Sequence, residues 1–455
     1  MPHVSRRTFL ELASATMISG CSGGRTSFAA GSAPLVAFSD VHFNPFWTND
    51  AKVFQALDAA DFTEWEGIFE ACGPAPSIAG ADTNYPLLKL ALASVRQNLG
   101  DSRVVLYTGD LLGHEIATLY QQASGSSDQA SMVAFTNKTA AFVMQQIRKA
   151  VGNIPVVFAV GNCDSYNDYG PDPTFLANTA EMFYSQMLNG TADHQEFVST
   201  FKAGGYYSVE LFDKRLMVIG LNTILCNSGV PPEPATVSEQ FAWLDTKLAA
   251  ARAAGQKVWI VMHVPLGGCL GPTAANYAAS GRITGASMMW IGSYQLTFTE
   301  TIVKYPGLIS MMVAGHTHMD EYRIMMPGYV LEVAPGISPV FANDPAYKRF
   351  TLDLGTFAPG DYEAIKCGLG MPLSQFQSYY TFTDAYNAPN YSPESLERLF
   401  PKLASDPAMQ ALFRKYYYSG NTAGNTITNV NWPVFWAGVG TVAEQGIVDS
   451  ANSYR

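Results

Sequence analysis

Met311-Met312-Val313-Ala314-Gly315-His316-Thr317-His318 is an apolar run that breaks at a glycine into two imidazoles two residues apart. The run fits a buried strand, and the glycine fits a sharp turn at its C-terminal end. His316 and His318 then stand at the edge of a sheet, where metal ions can collect them. Four other strand-like runs end in the same way. Residues 35–38 lead into Ser39-Asp40-Val41-His42, 104–107 into Thr108-Gly109-Asp110, 155–160 into Gly161-Asn162-Cys163-Asp164, and 258–262 into His263.

In an open α/β sheet the carboxyl ends of the strands converge on one crevice, and ligands bind there. The polar set placed at those ends is Asp40, His42, Asp110, Asn162, His263, His316 and His318. Carboxylates mixed with imidazoles suit zinc first, with iron or manganese as alternatives, whereas calcium and magnesium prefer oxygen cages. Seven donors are too many for one tetrahedral ion and match two, with one bridging carboxylate. Taken singly, each piece has a plain structural reading. Asp-x-His can be a helix cap, Asn162 can hold a turn, and His263 can be a core histidine. Their joint placement at strand ends is what favours a metal centre.

Between these ends, apolar residues recur at helical spacing over 87–95 and 132–150. Residues 165–202 read as loops and short helices over the active face. Strands are expected at 206–211 and 216–221 around an Asp213-Lys214 turn, and a hairpin at 322–325 and 330–333. Thr236 and Glu239 have capping-box spacing ahead of the Phe241, Leu244, Leu248 stripe. A Gly- and Ala-rich loop contains Trp290. The alternation of strands and helices indicates an α/β sandwich, sheets inside and helices outside. After about residue 362 the chain turns aromatic and helical, with a helix start at Ser392-Pro393 and with Trp432 and Trp436 expected against the main domain. No internal repeat is present.

The ordered motifs resemble those of the calcineurin-like metallophosphoesterases: Asp-x-His, Gly-Asp, Gly-Asn-His-Asp/Glu, His and Gly-His-x-His. The resemblance spans nearly all of 34–335 and implies a four-layer α/β/β/α sandwich. It implies one metal on Asp40, His42, Asp110 and His318, and another on Asp110, Asn162, His263 and His316, with Asp110 as the bridge. Ser39-Asp40-Val41-His42-Phe43-Asn44-Pro45, the long insert before Gly109-Asp110, His114 four residues after Asp110, and the aromatic C-terminal region are similar to the acid sphingomyelinase branch. One position departs: Cys163 stands where most members carry histidine, and a thiol is only a weak donor. The resemblance leaves His114 to protonate the leaving group, with Asp110 and Asn162 beside it in the catalytic set.

The expected activity is hydrolysis of a small-molecule or lipid phosphodiester, such as a phosphocholine lipid or a nucleotide. A phosphomonoesterase or nucleotide pyrophosphatase on the same metals stays open. So does a non-catalytic surface binding module that keeps the metals for stability, the reading Cys163 invites. Tyr166, Tyr169 and Trp290 are aromatic residues that could wall the site or equally fill the core.

Ser5-Arg6-Arg7-Thr8-Phe9-Leu10, followed by a modest apolar stretch and Ile18-Ser19-Gly20-Cys21, resembles a twin-arginine export signal with a lipoprotein-type box. The expected division is a signal at 1–21, a tether at 22–33, a catalytic domain at 34–362 and a helical region at 363–455. The place is a bacterial periplasm or cell envelope, with peripheral membrane attachment through lipid on Cys21. The five cysteines beyond Cys21 match no compact zinc knuckle, and one or two bridges are allowed among them. A formal charge of −11 gives no reason to expect a nucleic-acid polymer as partner.

Overall fold

The computed structural model describes residues 31–369 and 374–454; the export signal and Cys21 lie outside them. Its strands are β1 (Ser32–Phe38), β2 (Val105–Tyr107), β3 (Val156–Phe158), β4 (Tyr207–Leu211), β5 (Leu216–Gly220) and β6 (Lys257–Val261), followed by β7 (Ile309–Ala314), β8 (Glu321–Met326), β9 (Tyr329–Val333), β10 (Ala346–Asp353), β11 (Pro359–Cys367) and β12 (Phe376–Thr381). They form two six-stranded sheets, in the orders β12-β11-β10-β1-β2-β3 and β4-β5-β6-β7-β9-β8. The central strands run parallel, β1 with β2 and β3, and β5 with β6, β7 and β9. Antiparallel strands close one edge of the first sheet, β12, and both edges of the second, β4 and β8.

Strand alternation sorts the side chains of the second sheet. Val218, Trp259, Val261, Met311 and Val313 join the core shared with the first sheet. Their neighbours Met217, Ile219, Val258, Ile260 and Met312 face the other way. That outer face is covered by Phe241, Leu244 and Leu248 of helix Pro234–Ala253 and by Phe298 and Ile302 of helix Gly292–Val303. Each such burial is worth about 1.5–3 kcal/mol. The layered α/β sandwich expected from the strand pattern is therefore present. Tyr207 stitches the two sheets at one edge: its hydroxyl donates to Phe158 O at 2.8 Å and accepts from Phe158 N at 2.7 Å.

Several local expectations need correction. Residues 165–202 hold two full helices, Pro173–Phe183 and His194–Gly204, capped by the carboxylates of Asp172 and Asp193. The buried face of the first includes Thr179 and Ala180, and that of the second only Phe197, Phe201 and Gly204, which weakens the apolar signal. Helix Pro234–Ala253 starts two residues before Thr236, so Thr236 and Glu239 make no capping box. Pro234 presets the first turn and has no N–H to satisfy. The Ala-rich stretch before Trp290 is helix Leu270–Ser280, in keeping with the helix propensity of alanine. β1 begins at Ser32, inside the expected tether, because Ser32 pairs with Asp353. The expected boundary at 362 falls within β11, and the helical part begins only at Phe382–Tyr386.

Trp432 and Trp436 do not find their ring partners in the main domain. Trp432 packs on Phe413 and Trp436 stacks on Phe400. Their helix, Trp432–Gly440, nonetheless lies hard against helix Leu270–Ser280, since a Cβ on Gly438 would strike Leu270. The five cysteines of the described residues are free thiols, so none of the allowed bridges forms there. Among the described residues no helix is long and apolar enough to cross a membrane.

Candidate active site

Each expected ligand follows its strand closely, and all arrive at the same end of the two sheets. Asp40 and His42 leave β1, Asp110 leaves β2, Asn162 leaves β3, His263 leaves β6, and His316 and His318 leave β7. Backbone bonds hold the departing loops together. Asp40 N donates to Gly109 O at 3.0 Å, His42 N to Asp110 O at 2.9 Å, and Gly315 N to His263 O at 2.9 Å. The His316 amide crosses between the sheets and donates to the Asp40 carboxylate at 3.1 Å. Asp40, His42, Asp110, His316 and His318 all adopt positive φ, from 44° to 73°. Such strain in non-glycine residues costs of order 1–3 kcal/mol each and gathers at functional sites.

The expected ligands fall into two groups, Asp40 with His42 and His318, and Asp110 with His263 and His316, and a third cluster brings the Cys163 thiol to His42 and His114. Asp110 Oδ2 stands 3.2 Å from His42 Nε2 and 3.2 Å from His263 Nε2, so this one oxygen faces both. Asn162 Oδ1 lies 2.8 Å from His263 Nε2 and 2.7 Å from His316 Nδ1. Three rings give Nδ1 to carbonyls, His42 to Leu112, His263 to Thr108 and His318 to Ser338, which aims Nε2 inward. Burial lowers His316 to about 3 and His318 to about 4, leaving both as lone-pair donors. Burial opposes charge on His263 too, but Asp110 outweighs it and raises that ring to about 9. Carboxylate, amide oxygen and imidazole lone pairs packed this closely need positive charge among them, and a pair of cations fits this donor set.

Two neighbours of the motifs tie the site's backbone together. Asp164 accepts from the backbone N–H of Asp110, Leu111, Leu112 and Gly161 at 2.8–3.2 Å, tying the ends of β2 and β3 together. Cys163 donates its backbone N–H to Asp110 Oδ1 at 2.7 Å, a task independent of its side chain. Its thiol is buried and accepts from Asn162 Nδ2 at 3.4 Å.

His114 stacks on His42 with ring centroids 4.2 Å apart. Its Nδ1 lies 2.9 Å from Asp82 Oδ1, and its backbone N–H donates to Asp82 Oδ2 at 2.7 Å. Burial disfavours a charged His114, but the Asp82 carboxylate more than compensates and lifts the ring to about 10. Asp82 lies in the insert between β1 and β2, and no motif in the sequence marks it.

The two donor groups open into a cleft of about 590 Å³. Tyr169 and Phe341 stand at its mouth, 45% and 50% exposed. Tyr417, Tyr418 and Phe435 bring the C-terminal region into its wall. Tyr166 and Trp290 are core residues instead: the Tyr166 hydroxyl donates to Asn137, and the buried Trp290 indole donates to Val264 O.

A pair of cations held there would supply Lewis acidity to a substrate in the cleft, the chemistry of two-metal phosphatases, nucleases and aminopeptidases alike. Among these, the similarity to known proteins decides for the metal-dependent phosphoric ester hydrolases. A calcineurin-like phosphoesterase profile matches residues 33–320, well over half of the sequence, and the chain belongs to that family. A dinuclear metal centre goes with the family. The chain is 24% identical over 377 residues to the sphingomyelinase phosphodiesterase C of Dictyostelium discoideum, covering 76% of this chain and 77% of that protein. It is 25% identical over 365 residues to the cyclic GMP-AMP phosphodiesterase SMPDL3A of Rattus norvegicus, covering 74% of each. To the sphingomyelin phosphodiesterase of Homo sapiens it is 23% identical over 417 residues, which is 85% of this chain but 60% of that protein.

Proposed function

We propose that this chain hydrolyses small-molecule or lipid phosphodiesters, the kind of substrate named for its sphingomyelinase and cyclic GMP-AMP phosphodiesterase relatives. The observation that carries this reading is His114, a ring held by a carboxylate and stacked on the ligand His42 at the edge of the cleft. A diester with an alcohol leaving group has the greatest need of an acid in that place.

Asp40, His42, Asp110 and His318 would hold one cation, and Asp110, Asn162, His263 and His316 the other. The donor set favours zinc, with iron or manganese as alternatives. Bound there, the two cations supply Lewis acidity toward the phosphoryl oxygens and acidify the attacking water. The side chains do the rest. Asp110 and Asn162 orient the facing imidazoles. Water forms its bond to phosphorus in line as the bond to the alcohol oxygen breaks. The His114 imidazolium gives that oxygen its proton, and the ring regains one from solvent. Tyr169 and Phe341 offer aromatic faces to a base or a quaternary ammonium group in the remainder of the substrate.

Arg6, Arg7 and Cys21 support an exported protein of a bacterial envelope, anchored by lipid on Cys21. That anchor would hold the cleft close to membrane phospholipid. Mass spectrometry of the mature N-terminus checks it.

The central experiment measures metal content and turnover on the same sample. The substrates are sphingomyelin vesicles, a cyclic dinucleotide, a chromogenic diester and a chromogenic monoester, each before and after chelation. About two ions per chain and chelator-sensitive cleavage of a diester in preference to the monoester are expected. Metal-loaded protein that cleaves no diester would sink the proposal.

A further inference from the structure

We propose that Asp82 is the positioning residue of the His114 acid, gripping the residue at two points so that Nε2 presents its proton to the leaving-group oxygen. The inference rests on the diesterase reading above.

The grip is specific in geometry. One oxygen of Asp82 meets His114 Nδ1 at 2.9 Å and the other meets the His114 backbone N–H at 2.7 Å. A carboxylate that binds both the backbone and the ring of one residue fixes that ring's rotation as well as its tautomer. Its other neighbours are the stacked ring of His42, the edge of Phe341 at 6.0 Å and the Cys163 thiol, which shares a cluster with His42 and His114. The two aromatic contacts select no ring nitrogen, and a thiol is a weak partner beside a carboxylate.

Asp82 is itself held firmly. Its neighbour Thr83 donates its backbone N–H to His42 O at 3.1 Å, and Thr83 O accepts from Asn44 N at 2.9 Å. Ser77 Oγ donates to Asp82 O at 2.7 Å. Phe43 bridges Thr83 on one side and Leu112 on the other, which sets Asp82 beside Gly113-His114. Packing is close enough that a Cβ on Gly113 would lie 3.1 Å from Asp82 Oδ2. The Asp82 side chain is 7% exposed and that of His114 is 34% exposed. The carboxylate is thus screened from solvent, while part of the ring opens to the cleft. A two-point contact from a buried carboxylate orders the exposed ring.

The test compares Asp82→Asn, His114→Ala and the double variant on two diesters, one releasing an alkyl alcohol and one releasing p-nitrophenol. Nitrophenolate leaves without a proton, so an acid and its positioning partner matter only for the alkyl ester. For Asp82→Asn, kcat on the alkyl ester falls about 10–100-fold, with KM and metal content unchanged and the nitrophenyl ester nearly unaffected. The double variant loses no more than His114→Ala alone, because the two residues act as one unit. Asp82→Glu keeps the charge and recovers part of the alkyl-ester activity, which also covers the case in which Asp82→Asn folds poorly. Equal losses on both esters, or additive losses in the double variant, overturn the role of Asp82 while leaving the diesterase reading intact. Metal-loaded wild type that turns over neither ester removes that reading and this inference together.

Discussion

His42 Nε2 faces His318 Nε2 at 3.1 Å, each ring having given its Nδ1 to a carbonyl. Two ring nitrogens at that distance repel unless a proton or a cation stands between them. Chelation should therefore lower the melting temperature, and added zinc should restore it. The stabilisation grows with free metal, reaching about 2.7 kcal/mol at a hundredfold excess over Kd. His318→Ala should bind one ion fewer by elemental analysis and lose most of the thermal shift. An unchanged melting temperature on complete metal removal would contradict the assignment.

Gly161 has no room for a side chain, because an added Cβ would collide with Asp110 at both the carboxylate and the backbone. Gly161→Ala should push the shared carboxylate out of place. We expect loss of one or both ions and of diesterase activity with a native circular dichroism spectrum. Full metal loading in this variant would show that Asp110 tolerates displacement.

Asp164 is the acceptor for four backbone N–H groups. Asp164→Ala leaves them without a partner in a buried place, at about 1–3 kcal/mol for each donor that water fails to reach. Urea denaturation should show a loss of about 3 kcal/mol or more, and less for Asp164→Asn. A loss below 1 kcal/mol would mean that solvent replaces the carboxylate.

Lys348 is fully buried between Asp320, at 2.6 Å, and Glu332. One cation cannot neutralise two buried carboxylates, and burial raises Glu332 to about 7 despite the pull of Lys348. The folded state therefore holds the Glu332 proton more tightly than the unfolded chain does. Its contribution to stability is complete below the ordinary carboxylate range and is lost as pH rises through about 7. Melting temperatures at pH 5 and pH 8 should differ less in Glu332→Gln than in wild type. A difference as large as in wild type would remove Glu332 from the account.

The fold was legible where one strand and its exit loop carried the signal. Residues 311–318 show why: the apolar run predicts β7, and Gly315 must follow because a Cβ there would strike Ser39 and Asp40. Helix Pro173–Phe183 is a fuller element than the short helices expected there, and helix Leu270–Ser280 stands where a loop is expected, because Ala, Thr and Gly thin out their apolar faces. Trp290 is in sequence terms an aromatic in a loop, yet its indole is a core group with its N–H given to Val264 O. Tyr169, alike in sequence terms, does reach the cleft. Burial separates the two, and burial is a property of the packed chain.

By itself the sequence determined that Asp40, His42, Asp110, Asn162, His263, His316 and His318 meet at one place, since each is tied to a strand end by a few covalent bonds and parallel strands deliver such ends to one edge. Tertiary structure alone decided that Asp82 grips His114 across 32 residues, and that Tyr417, Tyr418 and Phe435 wall the cleft. Those contacts join segments with no shared periodicity or motif. They exist because the insert is zipped to the loop after β1 by backbone bonds, and because the C-terminal helices bury their rings against the sandwich.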